Sequence, residues 1–427
     1  MGSAVLLGSA FPQVANAQLF CPGGTFSDGT CAIGNQGAVS TAALSSQALS
    51  EASQNVSQVS NDQATNVVRR RLDQERQSAA PAPAAAPGRA APAARRAAPV
   101  RDLKDTMVFK APPVVAFGPT YAFWGQGFGD YDRWTPDFGA TRAPIIGLGL
   151  GTDPATVSMK RTTTTFGGLG GTDVTFRAND SVYVFGLLGG YMSSDVKFSS
   201  TSVGASNDNS SVSNVKATIS GPSVGGYLTF ASSAFSADLT AKVDFLQIDQ
   251  SFNETLFADA NPVQNFGSAS TRVTNYNIIG NLNYRIPYSA MSWWEPTVGI
   301  RATRSDFASD AYVLGLADGS VVRLQGGVRF GSTWDGWYGT TVVTTLTGLV
   351  YSDVLVNGLA LGSTGITGGF GPLAVAPSEE GLVRGQGILT MNFIHSATAS
   401  TFIQGEVRGG QDYFGAGGKI GFRVSLN

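Results

Sequence analysis

The sequence predicts an all-β transmembrane protein: an antiparallel up-and-down β-barrel of about twelve strands, preceded by a helical segment and a Pro/Ala-rich linker. First, apolar and polar residues alternate over stretches longer than the strands of soluble sheets. Second, charged residues make up only 14% of the chain, against about 25% in soluble proteins, and glycine is abundant. Third, no run of 18 apolar residues could form a membrane-spanning helix.

The clearest alternation lies in residues 235–249, "FSADLTAKVDFLQID". Every second residue from Phe235 to Phe245 is apolar, and the residues between them are polar. Eleven residues span roughly 36 Å, or roughly 25 Å along the membrane normal at a tilt near 45°, which matches the apolar band of a transmembrane barrel. The apolar face is therefore expected to face lipid. The polar residues expected in the lumen are Asp238, Lys242 and Asp244, together with Glu295 and Arg301 of a later strand.

Similar patterns predict the remaining strands. The twelve predicted strands lie near 119–127, 162–176, 182–195, 215–230, 235–249, 271–286, 293–305, 320–331, 337–351, 383–394, 400–409 and 413–426. Polar or Gly-rich loops are predicted near 197–214, 251–269 and 353–380. Aromatic residues at strand ends are predicted to form the girdles at the membrane interfaces. They are Tyr121, Phe123, Trp124, Trp293, Trp294, Trp334 and Trp337.

The N-terminal region indicates export. Residues 1–17 read as a signal peptide that ends in an Ala-x-Ala cleavage site. Because no Lys or Arg precedes Arg69, we expect this signal peptide to begin before Met1. Cys21 and Cys31 flank a Pro/Gly turn, and in an exported chain such a pair predicts a disulfide.

Between the cysteines and the barrel the pattern changes twice. Within the segment 18–78, apolar residues recur at three- and four-residue steps over about 39–77, which predicts a weakly amphipathic helix. The sequence leaves two interpretations open, a coiled coil or solvated helix and a helix occupying the pore. Residues 79–117 form the Pro/Ala-rich linker, expected to be a semi-rigid spacer. The barrel is expected over 118–427.

The start of the barrel, "YAFWGQGFGDYDRW" (121–134), resembles the first strand of an autotransporter β-domain, the translocator of type V secretion. The resemblance continues in a Gly-rich hairpin that ends Gly-Gly-Tyr and in the closing "GGQDYFGAGGKIGFRVSLN". It implies a barrel of the bacterial outer membrane, inserted by the barrel assembly machinery, through which an N-terminal passenger reaches the cell surface. In the closing strand, the residues matching the assembly signal are Phe422, Val424 and Leu426. The family's pore-plugging helix directly precedes the first strand, whereas about forty residues separate it here.

The sequence is compatible with two functions. The first is a translocator that carries a short N-terminal passenger to the cell surface. The alternative is a porin-like or structural barrel whose N-terminal arm stays in the periplasm. If the chain cuts its own helix, as some autotransporters do, Asn61-Asp62 is a candidate pair.

We expect no enzymatic activity, because the sole histidine, His395, stands beside Ser396 on a strand, where neighbouring side chains point to opposite faces. We also expect no metal and no cofactor, and a net charge of −2 gives no indication of nucleic-acid binding. The expected partners are outer-membrane lipid, the assembly machinery and cell-wall or surface ligands of the N-terminal segment, with the barrel itself monomeric.

Overall fold

The computed structural model describes most of the predicted barrel and part of the segment before it. The described residues are 24–27, 30–33, 49, 52–65, 67–69, 118–141, 154–178, 181–204, 209–232, 234–258, 261–289, 291–314, 316–336, 339–360 and 381–426. The predicted signal peptide, the predicted linker, Cys21 and Trp337 lie outside them. A short hairpin, Gly24–Ser27 and Thr30–Ile33, contains Cys31.

Twelve antiparallel strands form a closed barrel, as the sequence predicts. They are β1 (Thr120–Trp134), β2 (Pro154–Ala178), β3 (Ser181–Gly204), β4 (Asn209–Ser232), β5 (Phe235–Ala258), β6 (Asn261–Tyr284), β7 (Ser292–Phe307), β8 (Leu316–Asp335), β9 (Thr341–Ala360), β10 (Val383–Ile394), β11 (Ala399–Gly410) and β12 (Tyr413–Leu426). Each strand pairs with the next, and β12 pairs with β1 from Tyr121↔Leu426 to Trp134↔Tyr413, which closes the sheet. Closure leaves no unpaired sheet edge within the membrane, the condition for spanning a bilayer with strands, and β6 is paired with β7 from Val273 to Asn283 only.

The two ends of the barrel differ. Both barrel termini, at Thr120 and Leu426, lie at the end where tight turns join β2 to β3 and β4 to β5. In bacterial outer-membrane barrels the short turns are periplasmic, so the opposite end is extracellular. The strands β2 to β6 have 24 or 25 residues each, whereas β10 and β11 have 12. Twelve residues already span roughly 28 Å at a 45° tilt, so β2–β6 project well beyond the membrane on the extracellular side.

These projections correct the prediction of loops at 197–214 and 251–269. In both segments the described residues continue the strands, with β3 paired to β4 as far as Val203↔Ser210 and β5 to β6 as far as Ala258↔Asn261, and 205–208 and 259–260 lie outside the described residues. Their Ser, Thr and Asn residues suggested loops, but outside the membrane a strand with a polar outer face is expected. Of the third predicted loop, 353–360 belongs to β9 and 361–380 lies outside the described residues.

The faces of the wall exchange character at the membrane boundary, as β5 illustrates. From Phe235 to Phe245 the outward side chains are apolar, and the inward residues from Ser236 to Asp244 are polar and buried. Beyond Asp244 the inward residues Leu246 and Ile248 are apolar and buried, whereas the outward residues Gln247 and Asp249 are polar and exposed. An outward apolar belt around a polar lumen is the pattern of an outer-membrane barrel, and this protein is one.

The aromatic residues divide between the two faces. Tyr121, Phe123, Trp294 and Trp334 are exposed on the outer face, where girdle residues belong. The prediction was wrong for Trp124 and Trp293, which are buried on the inner face. Within the wall, Trp124 Nε1 donates to the Tyr227 hydroxyl at 3.1 Å, and the Arg285 guanidinium lies 3.8 Å from the Trp293 ring centroid. Both tryptophans lie near strand ends as expected, and a single step of register places them inside.

Candidate functional site

A helix occupies the lumen of the barrel. Residues 52–65 and 67–69 are helical, as is Leu49, and all of these residues are buried except Asn55, which is half-buried. A helix buried around its whole circumference must be enclosed, and its hydrogen bonds reach β1, β5, β6 and β7. Of the two interpretations of the sequence, the structure therefore selects the helix in the pore. No described helix is long and apolar enough to cross a membrane.

The composition of the helix suits this position. Its buried polar residues are Ser53, Gln54, Ser57, Gln58, Ser60, Asn61, Asp62, Gln63, Thr65 and Arg69, and its buried apolar residues are largely Ala and Val. Small side chains let the helix backbone approach the wall closely. Polar side chains can pair with the polar lumen, where an unpaired buried polar group would be costly. The thin apolar stripe in the sequence thus belongs to a helix that meets polar groups on several sides.

The centre of the site is the carboxylate of Asp244 on β5. One oxygen accepts from Ser57 Oγ of the helix at 2.7 Å and from Asn277 Nδ2 of β6 at 2.9 Å. The other accepts from Lys242 Nζ at 2.7 Å and from Ser223 Oγ at 2.5 Å. All five residues are buried, so this carboxylate is fully hydrogen-bonded inside the barrel and fixes the helix relative to three strands.

Two neighbouring residues extend the network along the helix. Lys242 Nζ also donates to Ser60 Oγ at 2.6 Å. The amide oxygen of Asn277 accepts from Asn61 Nδ2 at 2.8 Å and from Thr303 Oγ1 at 2.8 Å, and it lies 3.0 Å from Ser57 Oγ, whose single proton it shares with the closer Asp244. Lys242 and Asn277 thus each contact the helix and the wall at once.

Two arginines hold the rest of the helix. Asp62 pairs with Arg301 of β7 at 2.5 Å, and both side chains are almost fully buried. Closer to the periplasmic end, Arg69 Nη2 donates to Asn281 Oδ1 at 3.0 Å and to Thr297 Oγ1 at 3.3 Å. The candidate scissile pair Asn61-Asp62 therefore lies within the helix. The side chain of Asn61 donates to Asn277 and the side chain of Asp62 pairs with Arg301, both residues of the wall.

The contacts fix the direction of the helix. Ser57 and Ser60 contact residues midway along β5, whereas Arg69 contacts Asn281 and Thr297, nearer the periplasmic turn between β6 and β7. The helix therefore runs with its N-terminal residues toward the extracellular end. Its apolar residues belong to one buried cluster with Met192, Val196, Ile219, Ile248 and Leu316 of the wall.

The opposite part of the wall carries its own ion pairs. The Arg423 guanidinium of β12 contacts both oxygens of Asp173 on β2 at 2.7 Å. Arg323 of β8 makes a similar pair with Asp353 of β9, at 2.7 and 2.9 Å. Arg408 pairs with Asp130 across β11 and β1. These pairs join strands of the wall, so the six charges in them are neutralised without the helix.

The residues predicted to face the lumen all lie on its side of the wall. Asp238, Lys242, Asp244, Glu295 and Arg301 are buried and inward by strand alternation. Lys242, Asp244 and Arg301 contact the helix, whereas Glu295 pairs with Arg329 at 2.5 Å and Asp238 accepts from Asn281 Nδ2 at 2.7 Å. The sequence reasoning missed Asn277, Asn281 and Arg69, although the Asn-rich inward face of β6 is a visible signal for a polar partner.

The other candidate residues lie apart from this site. The disulfide remains a prediction because Cys21 is outside the described residues. His395 lies in the exposed turn after β10, with Nε2 2.8 Å from Thr401 Oγ1. Within the part of the chain that the structure describes, no group of three His, Cys, Asp or Glu residues could hold a metal ion. In the closing strand, Phe422 and Leu426 are exposed on the outer face and Val424 is half-buried.

Comparisons with solved structures cover about three quarters of the chain. No protein-family model and no curated protein matches the chain. The β-domain of the Bordetella autotransporter BrkA matches at 14% identity and a TM-score of 0.43, over 71% of this chain and 98% of that one. The transport unit of the Escherichia coli autotransporter AIDA-I matches at 13% identity and a TM-score of 0.42, over 76% and 94%.

A Pseudomonas aeruginosa FadL homologue matches at 8% identity and a TM-score of 0.31, over 72% of this chain and 90% of that one. The two higher-scoring structures are of the class that the sequence resembles. At these identities and TM-scores the likenesses carry no argument about function, which depends on the geometry of the lumen.

Proposed function

We propose that the protein is an outer-membrane translocator of the autotransporter type, which carries its short N-terminal segment to the cell surface. The observation that supports this proposal is the direction of the lumenal helix. Its last described residue, Arg69, lies toward the periplasmic end, where β1 begins, and its N-terminal residues point toward the extracellular end. A chain that follows this path places the residues before Leu49 outside the cell.

The buried contacts of the helix support the same proposal. The ion pair between Asp62 and Arg301, and the network around Asp244, match the helix to this lumen in charge and hydrogen bonding. A porin-like barrel with a periplasmic N-terminal arm has no need of a helix matched to its lumen. The helix therefore counts against that alternative.

Insertion follows from the same proposal. The barrel assembly machinery would recognise the closing strand β12, in which Phe422 and Leu426 present their side chains outward. Outer-membrane lipid would then cover the apolar belt of the barrel.

The test places an epitope tag after Cys31 and probes intact cells with antibody and with external protease. We expect labelling on intact cells and loss of the tag on protease treatment. A second tag in the periplasmic turn between β10 and β11, at 396–397, is the matched control and must become accessible only after permeabilisation. If the tag after Cys31 behaves like the control tag, the N-terminal segment is periplasmic and the translocator proposal is wrong.

A further inference from the structure

The outer face of the projecting strands carries a regular set of lysines. Lys160 on β2, Lys197 on β3 and Lys216 on β4 are all exposed on the outer face. Each lies six residues beyond an outward apolar residue at the extracellular edge of the belt. These edge residues are Phe166, Tyr191 and Pro222. Six residues correspond to roughly 20 Å along a strand and ~14 Å above the belt at a 45° tilt, so the three ammonium groups stand at one level above the lipid acyl chains.

Two of these lysines face each other directly. Lys197 and Lys216 are cross-strand partners in the pairing of β3 with β4, and like charges in that position repel. Within the described part of the chain no ion pair or hydrogen bond involves the ammonium group of Lys160, Lys197 or Lys216. An arrangement of unpaired, adjacent cations on a rigid sheet is stabilised when an anion binds between them.

The surface beside the pair is concave. An open groove of about 530 Å³ runs across the outer faces of β3 to β6, with Lys197 and Lys216 at one side and Ser268 and Ser270 at the other. Its two acids already have partners, since Asp249 accepts from Gln247 Nε2 at 3.1 Å and from Ser270 Oγ at 2.6 Å, and Asp195 accepts from Thr218 Oγ1 at 3.3 Å. The groove therefore holds two ammonium groups that lack an ion pair, two carboxylates that keep their charge but already accept hydrogen bonds, and a floor of hydroxyl groups.

We infer that this groove binds the phosphorylated headgroup of an outer-leaflet glycolipid, with the phosphate between Lys197 and Lys216 and with Lys160 beside it. The level of the lysines above the belt favours a membrane component over a soluble partner, because lipid is present there at high concentration along the whole wall. The Ser and Thr hydroxyls of the groove suit the sugar hydroxyls of such a headgroup. The inference holds whether or not the N-terminal segment crosses the barrel.

The test compares variants of the full-length protein, purified in detergent and checked for the folded barrel by its heat-dependent mobility on gels. The double variant Lys197→Gln/Lys216→Gln removes the facing cations, and Lys197→Arg/Lys216→Arg keeps them. Arg304→Gln removes an exposed cation elsewhere on the outer face, on β7. The probes are lipopolysaccharide, dephosphorylated lipopolysaccharide and inorganic phosphate. Their affinities are measured by native mass spectrometry and by a fluorescence titration.

We expect the native protein and the Arg pair to bind lipopolysaccharide more tightly than the dephosphorylated form or free phosphate. The Gln pair should bind it about 30-fold more weakly, because each cation near an anionic surface contributes about a fivefold effect. Arg304→Gln should leave the affinity unchanged. Equal binding of the two lipopolysaccharides, or an equal loss in Arg304→Gln, would overturn the inference, and tighter binding of free phosphate would show an anion site unrelated to lipid.

Discussion

At the residue scale, the lumen depends on charges that are buried in matched pairs. Asp62 with Arg301, and Asp244 with Lys242, are nearly or fully inaccessible to solvent. Removing charges from water carries a large desolvation penalty, which only a close partner and further hydrogen bonds offset. Such pairs contribute little net stability, but breaking one leaves an unpaired charge in the lumen. The pairs therefore contribute more to the specificity of the lumen for this helix than to the stability of a helix bound there.

The pair between helix and wall gives the first prediction. Arg301→Gln should loosen the lumenal helix by about 3–5 kcal/mol, because Asp62 then remains charged and buried without a partner. Asp62→Asn should have an effect of similar size. Hydrogen exchange of the amides within residues 52–69 measures the loosening in the solubilised protein. In the double variant Asp62→Asn/Arg301→Gln the two effects should not add, with a coupling of about 1–3 kcal/mol, whereas strictly additive effects would mean that the pair does not hold the helix.

At the element scale, the sequence predicts an element reliably when its pattern of polar and apolar residues is compatible with only one structure. The strands were predictable because alternation over eleven or more residues distinguishes lipid from lumen, as in β5. The tips of β3 to β6 were not predictable as strands, because the polarity of both faces changes beyond the membrane. The helix was predicted as an element, but its position was left open between a solvated or coiled-coil helix and a helix in the pore, since small and polar residues such as Ser57 and Ser60 suit either position. The prediction that Trp124 and Trp293 belong to the girdles was wrong, because a girdle residue and a lumen residue can be direct neighbours along a strand.

A substitution in the helix tests how closely it fits. Ser57 is fully buried and donates to Asp244, so Ser57→Leu should destabilise the lumenal helix through overpacking, by about 1–3 kcal/mol, and through the lost hydrogen bond. Asn55→Leu, at the half-buried position of the helix, is the matched control and should have a much smaller effect. Limited proteolysis of the helix reports the fraction of time that it is released. Equal protease sensitivity of the two variants would contradict the close packing of Ser57.

At the scale of the whole molecule, the barrel is asymmetric about its axis. The five long strands β2–β6 form a wall that rises on one side, and the strands β10–β12 scarcely exceed the membrane. Above the belt, the inner face of the tall wall carries buried apolar residues such as Ile219 and Ile248, which share one cluster with the helix, beside buried polar residues such as Arg161 and Thr163. The molecule thus combines a polar lumen within the membrane and a partly apolar interior outside it, and the helix contacts both.

This arrangement predicts the conductance. In planar bilayers the full chain should conduct ions poorly, because the helix fills the lumen. A chain lacking residues 1–78 should form a steady pore of higher conductance, since its lumen is empty. A chain lacking residues 1–48 keeps the described helix and should behave like the full chain. If all three conduct equally, the helix does not obstruct the path of ions.

The exchange of faces on β5 has a consequence for how deeply the protein sits. Between Phe245 and Gln247 the outward side chain changes from apolar to polar. Between Asp244 and Leu246 the inward side chain changes from polar to apolar. If the barrel sat two residues deeper, roughly 5 Å along the membrane normal, the amide of Gln247 would lie in hydrocarbon. If it sat as much higher, the ring of Phe245 would be exposed to water. The sequence of each long strand thus marks the level of the membrane boundary. It determines how deeply the molecule sits in the membrane, independently of any partner.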